Sequence, residues 1–221
     1  VYKRQVLDGT MLADLRTCPR RFMQAYVNCL RLKGESIDLI AGGAFAAGLE
    51  AARRSYFERG QPVERAYLDG FIAMTRAYGP AEPPPKKENK SWLSLAGGYI
   101  YYWDSYPIDT DYLAPACIDG KWAIEFTFCI PLKILHPQTG QPLLFAGRCD
   151  MIGKYQSTYF TVDEKTTGNM GPLWAKQWKL RGQFMGYSWA AREYGYAVKG
   201  TIVRGLCLTS EYKTAQAIVY H

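Results

Sequence analysis

The segment from Phe145 to Gly168, FAGRCDMIGKYQSTYFTVDEKTTG, constrains the fold more than any other part of the chain. Its β-branched and aromatic residues predict two strands that fold back on each other around a turn near 153–158. A hairpin of this kind belongs in the core of a sheet, yet this one carries three acids and a lysine among apolar neighbours. Charged side chains are rarely buried unless they are paired or bind a ligand, so the hairpin predicts a functional site.

The alternation of side chains along a strand sorts these charges into two faces. Asp163 and Lys165 are two residues apart and share one face, whereas Glu164 points to the other. The turn would place Asp150 beside Asp163, where two partly buried carboxylates repel each other and need positive charge between them. Lys165 supplies one charge, and oxygen ligands favour Mg²⁺ or Mn²⁺ over zinc for the remainder.

The same letters have an ordinary structural interpretation. Asp–Lys pairs on a strand face are common as surface salt bridges, and the sequence DEK taken alone favours that reading. The sequence GRCD on the partner strand changes the balance, because an acidic residue facing Asp163 across the hairpin arises less often by chance. We therefore expect a metal site on the hairpin.

Helices are predicted before this hairpin. The segment 10–27 has helical apolar spacing with Thr10 as its N-cap, and Pro19 predicts a break at Cys18. Further helices are expected over 42–60, 62–78 and 92–106, and the Pro- and Lys-rich segment 79–91 is predicted to be a loop.

Strands dominate the second half of the chain. KWAIEFTFCIPL, from Lys121, reads as a strand before the hairpin, and the segments 200–209 and 215–221 read as closing strands. A long amphipathic helix is predicted over 172–195. This order predicts an α/β (α+β) fold with a single domain over 1–221, in which 1–115 form a mainly helical lobe and 116–221 the sheet core.

The composition of the chain limits the classes of partner and catalytic site that it can have. The 221 residues carry a net charge of +7, which favours a polyanionic partner. No apolar run is long enough to cross a membrane, and we expect no signal peptide and no membrane partner. With only two histidines, a His-rich zinc site or a His-based catalytic triad is not expected. The six cysteines form no CxxC pair, so reduced thiols in the cytoplasm are expected.

The motifs also resemble a known superfamily. GRCD (147–150) followed by VDEKTT (162–167) resembles the PD-(D/E)XK nucleases, and QFMGY (183–187) resembles the Q-x-x-x-Y signature of their RecB-like branch. LADLRTCPRRFMQAY near the start and GGAFAAGLE (42–50) are similar to that branch too. The likeness covers most of the chain, and it points to exonucleases carried by phages and prophages, with similarity to the CRISPR-adaptation nucleases.

The resemblance implies a restriction-endonuclease-like core, a mixed sheet flanked by helices, and a role for each matching residue. Asp150 and Asp163 would ligate Mg²⁺ or Mn²⁺, the main-chain carbonyl of Glu164 would complete the shell, and Lys165 would orient or activate the attacking water. Glu125 on the preceding strand would be an assisting acid. Gln183 and Tyr187 would position DNA or the outer shell of the metal from the helix. Thr166 and Thr167 would donate their hydroxyls to a phosphate. On periodicity alone, Tyr187 is more often a core aromatic and Glu125 a solvated strand residue.

One position departs from the family pattern. Alignment of GGAFAAGLE places the usual metal-binding histidine of the early helix at Ala46, which cannot bind a metal. Glu50 lies one turn later on the same helix face and offers carboxylate oxygen to the metal in its place. Three interpretations stay open: a residue engineered to disable cleavage, a weakly active natural enzyme, or a site that binds DNA without cutting it. No iron–sulfur cluster is expected, because no trio of closely spaced cysteines follows Cys149.

Basic residues predict the contacts with DNA. Arg148 lies on the strand of Asp150, and Lys176 and Arg181 lie among tryptophans before the Q-x-x-x-Y pair, an arrangement that suits single-stranded DNA. The same tryptophans and lysines are also typical of a core and a solvated face. The sequence thus predicts a metal-dependent DNA exonuclease in recombination or repair, in the cytoplasm of a bacterial host, with DNA ends, a recombination protein or a second copy of the chain as partners. The alternatives are a cleavage-deficient DNA-end-binding protein and a structure-dependent endonuclease.

Overall fold

The computed structural model describes residues 6–30, 34 and 36–221. Two helices, α2 and α3, each continue into a π-helical turn, over Met23–Val27 and Arg54–Glu58 respectively. The helices are α1 Gly9–Thr17, α2 Pro19–Phe22, α3 Ile37–Arg53, α4 Val63–Tyr78, α5 Trp92–Ser105 and α6 Gly182–Glu193. The strands are β1 Val6–Leu7, β2 Ala114–Pro115, β3 Cys117–Ile118, β4 Lys121–Trp122, β5 Ile124–Leu135, β6 Pro142–Tyr155, β7 Thr158–Thr167, β8 Val198–Cys207 and β9 Lys213–Tyr220.

The sheet is organised around β6. One edge of β6 pairs with β5 and then with β2, whereas the other edge pairs with β1 at Leu144 and Phe145 and with β7 from Met151 onward. Strand β7 pairs with β8 in parallel orientation, and β8 pairs with β9 in antiparallel orientation. The predicted mixed sheet is therefore confirmed, and in the described registers the β7 edge of β6 lacks a strand partner over 146–150.

Helices cover both faces of this sheet. On one face α6 packs through Phe184, Ala190 and Ala191 onto residues such as Ile152 and Val203 of the strands. On the other face, α3, α4 and α5 form a second apolar cluster that includes Leu206 and Leu208 at the end of β8. The predicted helices flanking a sheet are thus confirmed, and the sheet separates two layers with different side-chain environments. None of the helices in the described part of the chain is long and apolar enough to cross a membrane.

The start of the chain confirms one sequence prediction and corrects another. The helix break at Cys18 is present, since Cys18 ends α1 and Pro19 begins α2. The N-cap of α1 is Asp8 and not Thr10, because Asp8 Oδ1 accepts a hydrogen bond from the Met11 amide at 2.8 Å. A carboxylate at this position also interacts favourably with the positive end of the helix dipole.

The helix predicted over 172–195 is confirmed only in its second half, as α6, and its predicted start is wrong. Its first half forms turns and a short 3₁₀ helix over Lys176–Trp178, Arg181 is extended, and α6 begins only at Gly182. Trp174 and Trp178 are both buried and pack edge to face with ring centroids 5.5 Å apart. Burial of these two indoles against the sheet outweighs the helical preference of the segment. The segment 79–91 likewise contains a 3₁₀ helix, Pro85–Lys90, where only a loop was predicted.

A close approach of Trp174 to β8 gives a stability prediction. A Cβ atom on Gly205 would lie 2.3 Å from Trp174 Cζ2, so Gly205→Ala is expected to destabilise the fold by about 1–3 kcal/mol through overpacking. Gly43→Ala is the control, because a Cβ on this exposed helical glycine meets nothing within 4 Å, and it is expected to stabilise by about 0.5–1 kcal/mol. Urea denaturation measures both, and equal stability of Gly205→Ala and wild type would contradict the packing of Trp174.

Candidate active site

Two carboxylates lie side by side where β6 and β7 begin to separate. The registered pair Met151 and Val162 places Asp150 and Asp163 next to each other on the following rung of the hairpin. Asp163 is only 2 % exposed and Asp150 is partly buried. The arrangement follows directly from the turn at Gln156 and Ser157, both of which have positive φ and reverse the chain.

Lys165 is the positive charge nearest to Asp163. Its Nζ lies 2.6 Å from Asp163 Oδ2, and the lysine side chain is 37 % exposed at the opening of the site. Despite this ion pair, Asp163 Oδ2 has no well-aligned hydrogen-bond donor among the described residues. A buried carboxylate oxygen with an incomplete set of donors can still accept from a water molecule or bind a cation.

The electrostatics of the two carboxylates favour the binding of a cation. Burial raises the pKa of Asp150 well above its usual range, and repulsion by Asp163 and Glu164 raises it further. Burial also raises the pKa of Asp163, against the opposing attraction of Lys165. A divalent cation between the two carboxylates would relieve both the burial cost and the repulsion.

Glu164 points to the opposite face of β7, as the alternation predicts. Its two carboxylate oxygens accept a forked pair of hydrogen bonds from Arg53 of α3, at 2.6 and 2.5 Å, and Tyr102 of α5 donates to Oε1. Burial alone would raise the pKa of Glu164, but the Arg53 guanidinium outweighs it and holds this pKa below its usual range. The main-chain N–H of Glu164 donates to Asp150 Oδ2 at 2.6 Å.

A third acid, Glu125, lies opposite Asp150 on β5. The pairs Ile124–Met151 and Phe126–Cys149 place it there, and its φ of 53° bends the strand locally. Its carboxylate is ion-paired with Arg148 at 2.6 Å. Burial raises the pKa of Glu125 to about 7, Arg148 opposes the shift, and repulsion by Glu50 adds to it. Glu50 itself is partly exposed and paired with Arg54 at 2.8 Å.

Gln183 and Tyr187 lie on the first turns of α6. Gln183 Nε2 donates to the Tyr187 hydroxyl at 2.7 Å, so the i, i+4 spacing does place both on one helix face. Burial raises the pKa of Tyr187, and the negative charge of Asp163 raises it further, which puts this hydroxyl near the carboxylates. Both side chains line a cavity of about 220 Å³ with Arg148 and the start of α1.

The two threonines after Lys165 point to different surroundings. Thr166 Oγ1 lies 3.7 Å from the Cβ position of Gly42, so it faces α3. Thr167 Oγ1 donates to the main-chain oxygen of Asn169 at 2.8 Å. Thr166 therefore faces away from Asp163 and Lys165, whereas Thr167 falls on their face by alternation and its hydroxyl is occupied by Asn169. Ala46 is on α3, one turn after Gly42 and two turns before Arg53, on the side of the helix that faces β7.

The basic residues divide into two groups. In the 79–91 segment Lys90 is buried and Lys87 is paired with Asp38, so these lysines are engaged within the protein. Lys176, Lys179 and Arg181 line a groove of about 1210 Å³ between α1 and the start of α6, and none of them has an ion-pair partner among the described residues. The Arg181 guanidinium lies 5.0 Å from the ring centre of Trp178.

Sequence reasoning missed the role of Arg53 and Tyr102. The available signal was that Arg53 falls on the same helix face as Ala46 and Glu50, and that an arginine in an otherwise small and apolar helix needs a buried partner. Nothing local in the sequence indicates Tyr102 as a donor to Glu164, because the two residues are 62 positions apart.

Carboxylate oxygen is the ligand type that the site offers. In the part of the chain that the structure describes, no group of three or more His, Cys, Asp or Glu side chains is clustered as a complete metal cage. Two carboxylates and a main-chain carbonyl fit Mg²⁺ or Mn²⁺, since Mg²⁺ in particular keeps several waters and takes few protein ligands. The residues present therefore fit a hard divalent cation and do not fit a structural zinc.

Comparison with known proteins agrees with this geometry. A sequence model described as the PD-(D/E)XK nuclease superfamily matches residues 10–217. The crystal structure of a "Putative exonuclease" from Eubacterium rectale is similar in fold, with a TM-score of 0.55 and 13 % identity over 97 % of this chain and 73 % of that one. The structure of SSO0001 has a TM-score of 0.35 and 10 % identity over 88 % of this chain and 73 % of that chain, too low to support an argument. No curated protein gives a match.

Proposed function

Because the chain belongs to the PD-(D/E)XK nuclease superfamily, we propose that it is a DNA exonuclease that hydrolyses phosphodiester bonds with Mg²⁺ or Mn²⁺. The observation that carries the proposal is the pair of neighbouring carboxylates, buried Asp163 and partly buried Asp150, with the Lys165 ammonium 2.6 Å from Asp163. The choice of an exonuclease is in line with the name of the Eubacterium rectale neighbour.

We infer that Asp150, Asp163 and the carbonyl of Glu164 would hold the metal, with Glu50 as a candidate further ligand. The donor-poor Asp163 Oδ2 and the raised pKa of both aspartates support this assignment. When bound, the ion would polarise the phosphodiester and stabilise the negative charge that develops on it. For Glu50 to contribute, its carboxylate would have to leave Arg54, with which it is now paired at 2.8 Å.

The other residues would position the water and the DNA. Lys165 reaches the opening of the site and can orient the attacking water while neutralising part of the phosphate charge. Glu125, whose pKa is raised to about 7, can accept or return a proton near neutral pH. Gln183 and the Tyr187 hydroxyl would hold the substrate from α6, and Arg148 would contact a phosphate once released from Glu125.

The groove beside α6 supports single-stranded DNA as the bound form. It shares Gly9, Thr10 and Gln183 with the small cavity that Arg148 and Tyr187 line, so a strand bound in the groove would reach the Gln183–Tyr187 pair of α6. Lys176 and Arg181 would pair with phosphates, and apolar wall residues would contact unstacked bases. Duplex DNA would leave such apolar walls unused, because its bases are stacked inside. Thr166 and Thr167 would reach a phosphate only after a rearrangement, given their present partners.

The wider role remains part of the proposal. We infer a RecB-like exonuclease of phage or prophage type, acting in recombination or repair in the bacterial cytoplasm, with a recombination protein or a second copy of the chain as partner. The whole segment 1–221 would act as one catalytic unit, with the helical lobe over 1–115 and the sheet core over 116–221.

The second candidate function is a DNA-end-binding protein that does not cleave, and Ala46 is the observation that favours it. The family resemblance places a metal-binding histidine at this position, and Ala46 lies on the side of α3 that faces β7, the strand of Asp163. Loss of one ligand is expected to weaken metal binding by at least about 10-fold, because even the outer-shell partners of a metal site contribute that much to affinity.

A cleavage assay with wild type and Ala46→His tests the proposal. We expect end-labelled linear DNA to be degraded in the presence of Mg²⁺ or Mn²⁺, a closed circle to stay intact, EDTA to stop the reaction, and Ala46→His to cut at least about 10-fold faster. Activity in the histidine variant alone would identify this chain as a disabled nuclease. Binding of ends without cleavage by either protein would favour the second candidate, and cleavage of the closed circle would identify an endonuclease.

A further inference from the structure

The far side of the sheet from the two aspartates contains a fully enclosed charge cluster. Arg53 and Glu164 have side chains that are 5 % and 2 % exposed, and two parallel hydrogen bonds of 2.6 and 2.5 Å join them. The Tyr102 hydroxyl donates to the same carboxylate and accepts from Arg53 at 3.5 Å. Helices α3 and α5 thus hold one side chain of β7 from two directions.

This cluster is connected to the catalytic face through a single residue. Glu164 lies between Asp163 and Lys165, so its side chain anchors the strand at the point where both of these residues emerge on the other face. Its main-chain N–H donates to Asp150 Oδ2 at 2.6 Å. A shift of the Glu164 peptide would therefore move three groups of the candidate site at once.

Stability alone gives little reason for such a cluster. An enclosed Arg–Glu pair gains about as much from its Coulomb attraction as it loses by leaving water, and a well-packed apolar pair of similar volume is often at least as stable. What a forked arginine and a hydroxyl add, and an apolar pair cannot, is a fixed direction for the carboxylate they bind.

We propose that Tyr102 and Arg53 are positioning residues that set the metal affinity of the site by fixing the Glu164 peptide from the opposite face of the sheet. The inference rests on the proposed function, since it requires that the two aspartates bind a divalent cation. Neither residue would touch metal or DNA, and both would act through Glu164.

Two tyrosine-to-phenylalanine substitutions in α5 separate positioning from general packing. Tyr102→Phe removes the hydroxyl that donates to Glu164 and keeps the ring, whereas Tyr99→Phe removes a hydroxyl of the same helix that donates to the Tyr67 carbonyl at 3.0 Å. Binding of Mn²⁺ without DNA, followed by electron paramagnetic resonance, is expected to weaken about 10-fold or more in Tyr102→Phe and to stay within about twofold of wild type in Tyr99→Phe. Urea denaturation of both variants measures any loss of stability.

Arg53→Lys adds a test of the fork itself, because lysine keeps the charge and loses the bidentate geometry. We expect it to weaken Mn²⁺ binding about as much as Tyr102→Phe does. Wild-type affinity for Mn²⁺ in Tyr102→Phe would overturn the positioning role and leave the nuclease proposal intact. The same conclusion would follow if Tyr99→Phe lost as much Mn²⁺ affinity as Tyr102→Phe and both losses followed the loss of stability. Failure of wild type itself to bind Mn²⁺ would overturn both this inference and the proposed metal-dependent cleavage. Binding of Mn²⁺ without cleavage of DNA would overturn only the proposed cleavage.

Discussion

Lys165→Ala is expected to lower the rate of DNA cleavage by about 10²–10⁴-fold while Mn²⁺ binding persists. The ammonium lies 2.6 Å from Asp163 and is the positive group placed to orient a water molecule there, but it is not itself a ligand. Single-turnover cleavage of end-labelled DNA measures the effect, in whichever of wild type and Ala46→His cuts faster.

The matched control for this prediction is Lys199→Ala, which removes the same charge from an exposed position at the start of β8. We expect the control to cut at close to the parent rate, because it changes only the long-range field around the protein. Undiminished cleavage by Lys165→Ala would remove this lysine from the mechanism.

The largest effect on stability is expected for Arg53→Ala. The substitution leaves the enclosed Glu164 carboxylate without its counter-charge, and breaking a buried pair in this way costs about 3–5 kcal/mol. Arg54→Ala is the neighbouring control, since Arg54 is partly exposed and pairs with Glu50 and Glu58 at the surface, where a loss of about 0–1 kcal/mol is expected. Urea denaturation at pH 7 compares the two, and equal losses would show that Glu164 does not depend on Arg53.

The pH dependence of the Arg53→Ala deficit has a definite sign. In wild type the pKa of Glu164 lies below its usual range, so this carboxylate contributes stability that is present above the ordinary glutamate pKa and is lost as pH falls through the lowered folded-state value. In Arg53→Ala, burial would raise the folded-state pKa of Glu164, and the folded protein would then bind a proton more readily than the unfolded chain. The difference in stability between the two proteins should therefore shrink as pH is lowered from 7 toward 5.

The hairpin illustrates what local sequence can predict. Alternation along two strands, together with a turn of known position, is enough to place Asp150 beside Asp163 and Glu164 on the opposite face, and the register of β6 and β7 agrees. The short spacing of Gln183 and Tyr187 was similarly sufficient, because one helical turn fixes their relation whatever the rest of the fold does.

Contacts between distant parts of the chain escaped the same reasoning. Arg53 and Glu164 are 111 positions apart, and no pattern within either segment indicates the partner. Arg204 is a second example, since it is buried in β8 and pairs with Asp111. Asp111 lies in the loop before β2, and no sequence pattern indicates it as the partner of Arg204. The helix wrongly predicted over the first part of 172–195 has the same origin. The conformation there is set by packing of the tryptophans against the distant strand β8, and not by the residues next to them in sequence.

The two short strands β1 and β2 have a consequence for how this protein can be divided. Both come from the first 115 residues, and each adds to a different edge of β6, the strand that carries Asp150. Limited proteolysis between the helical region and the sheet region should accordingly yield fragments that stay associated under native conditions. Evolutionary exchange of one half for a homologous half would have to preserve both strand pairings at once.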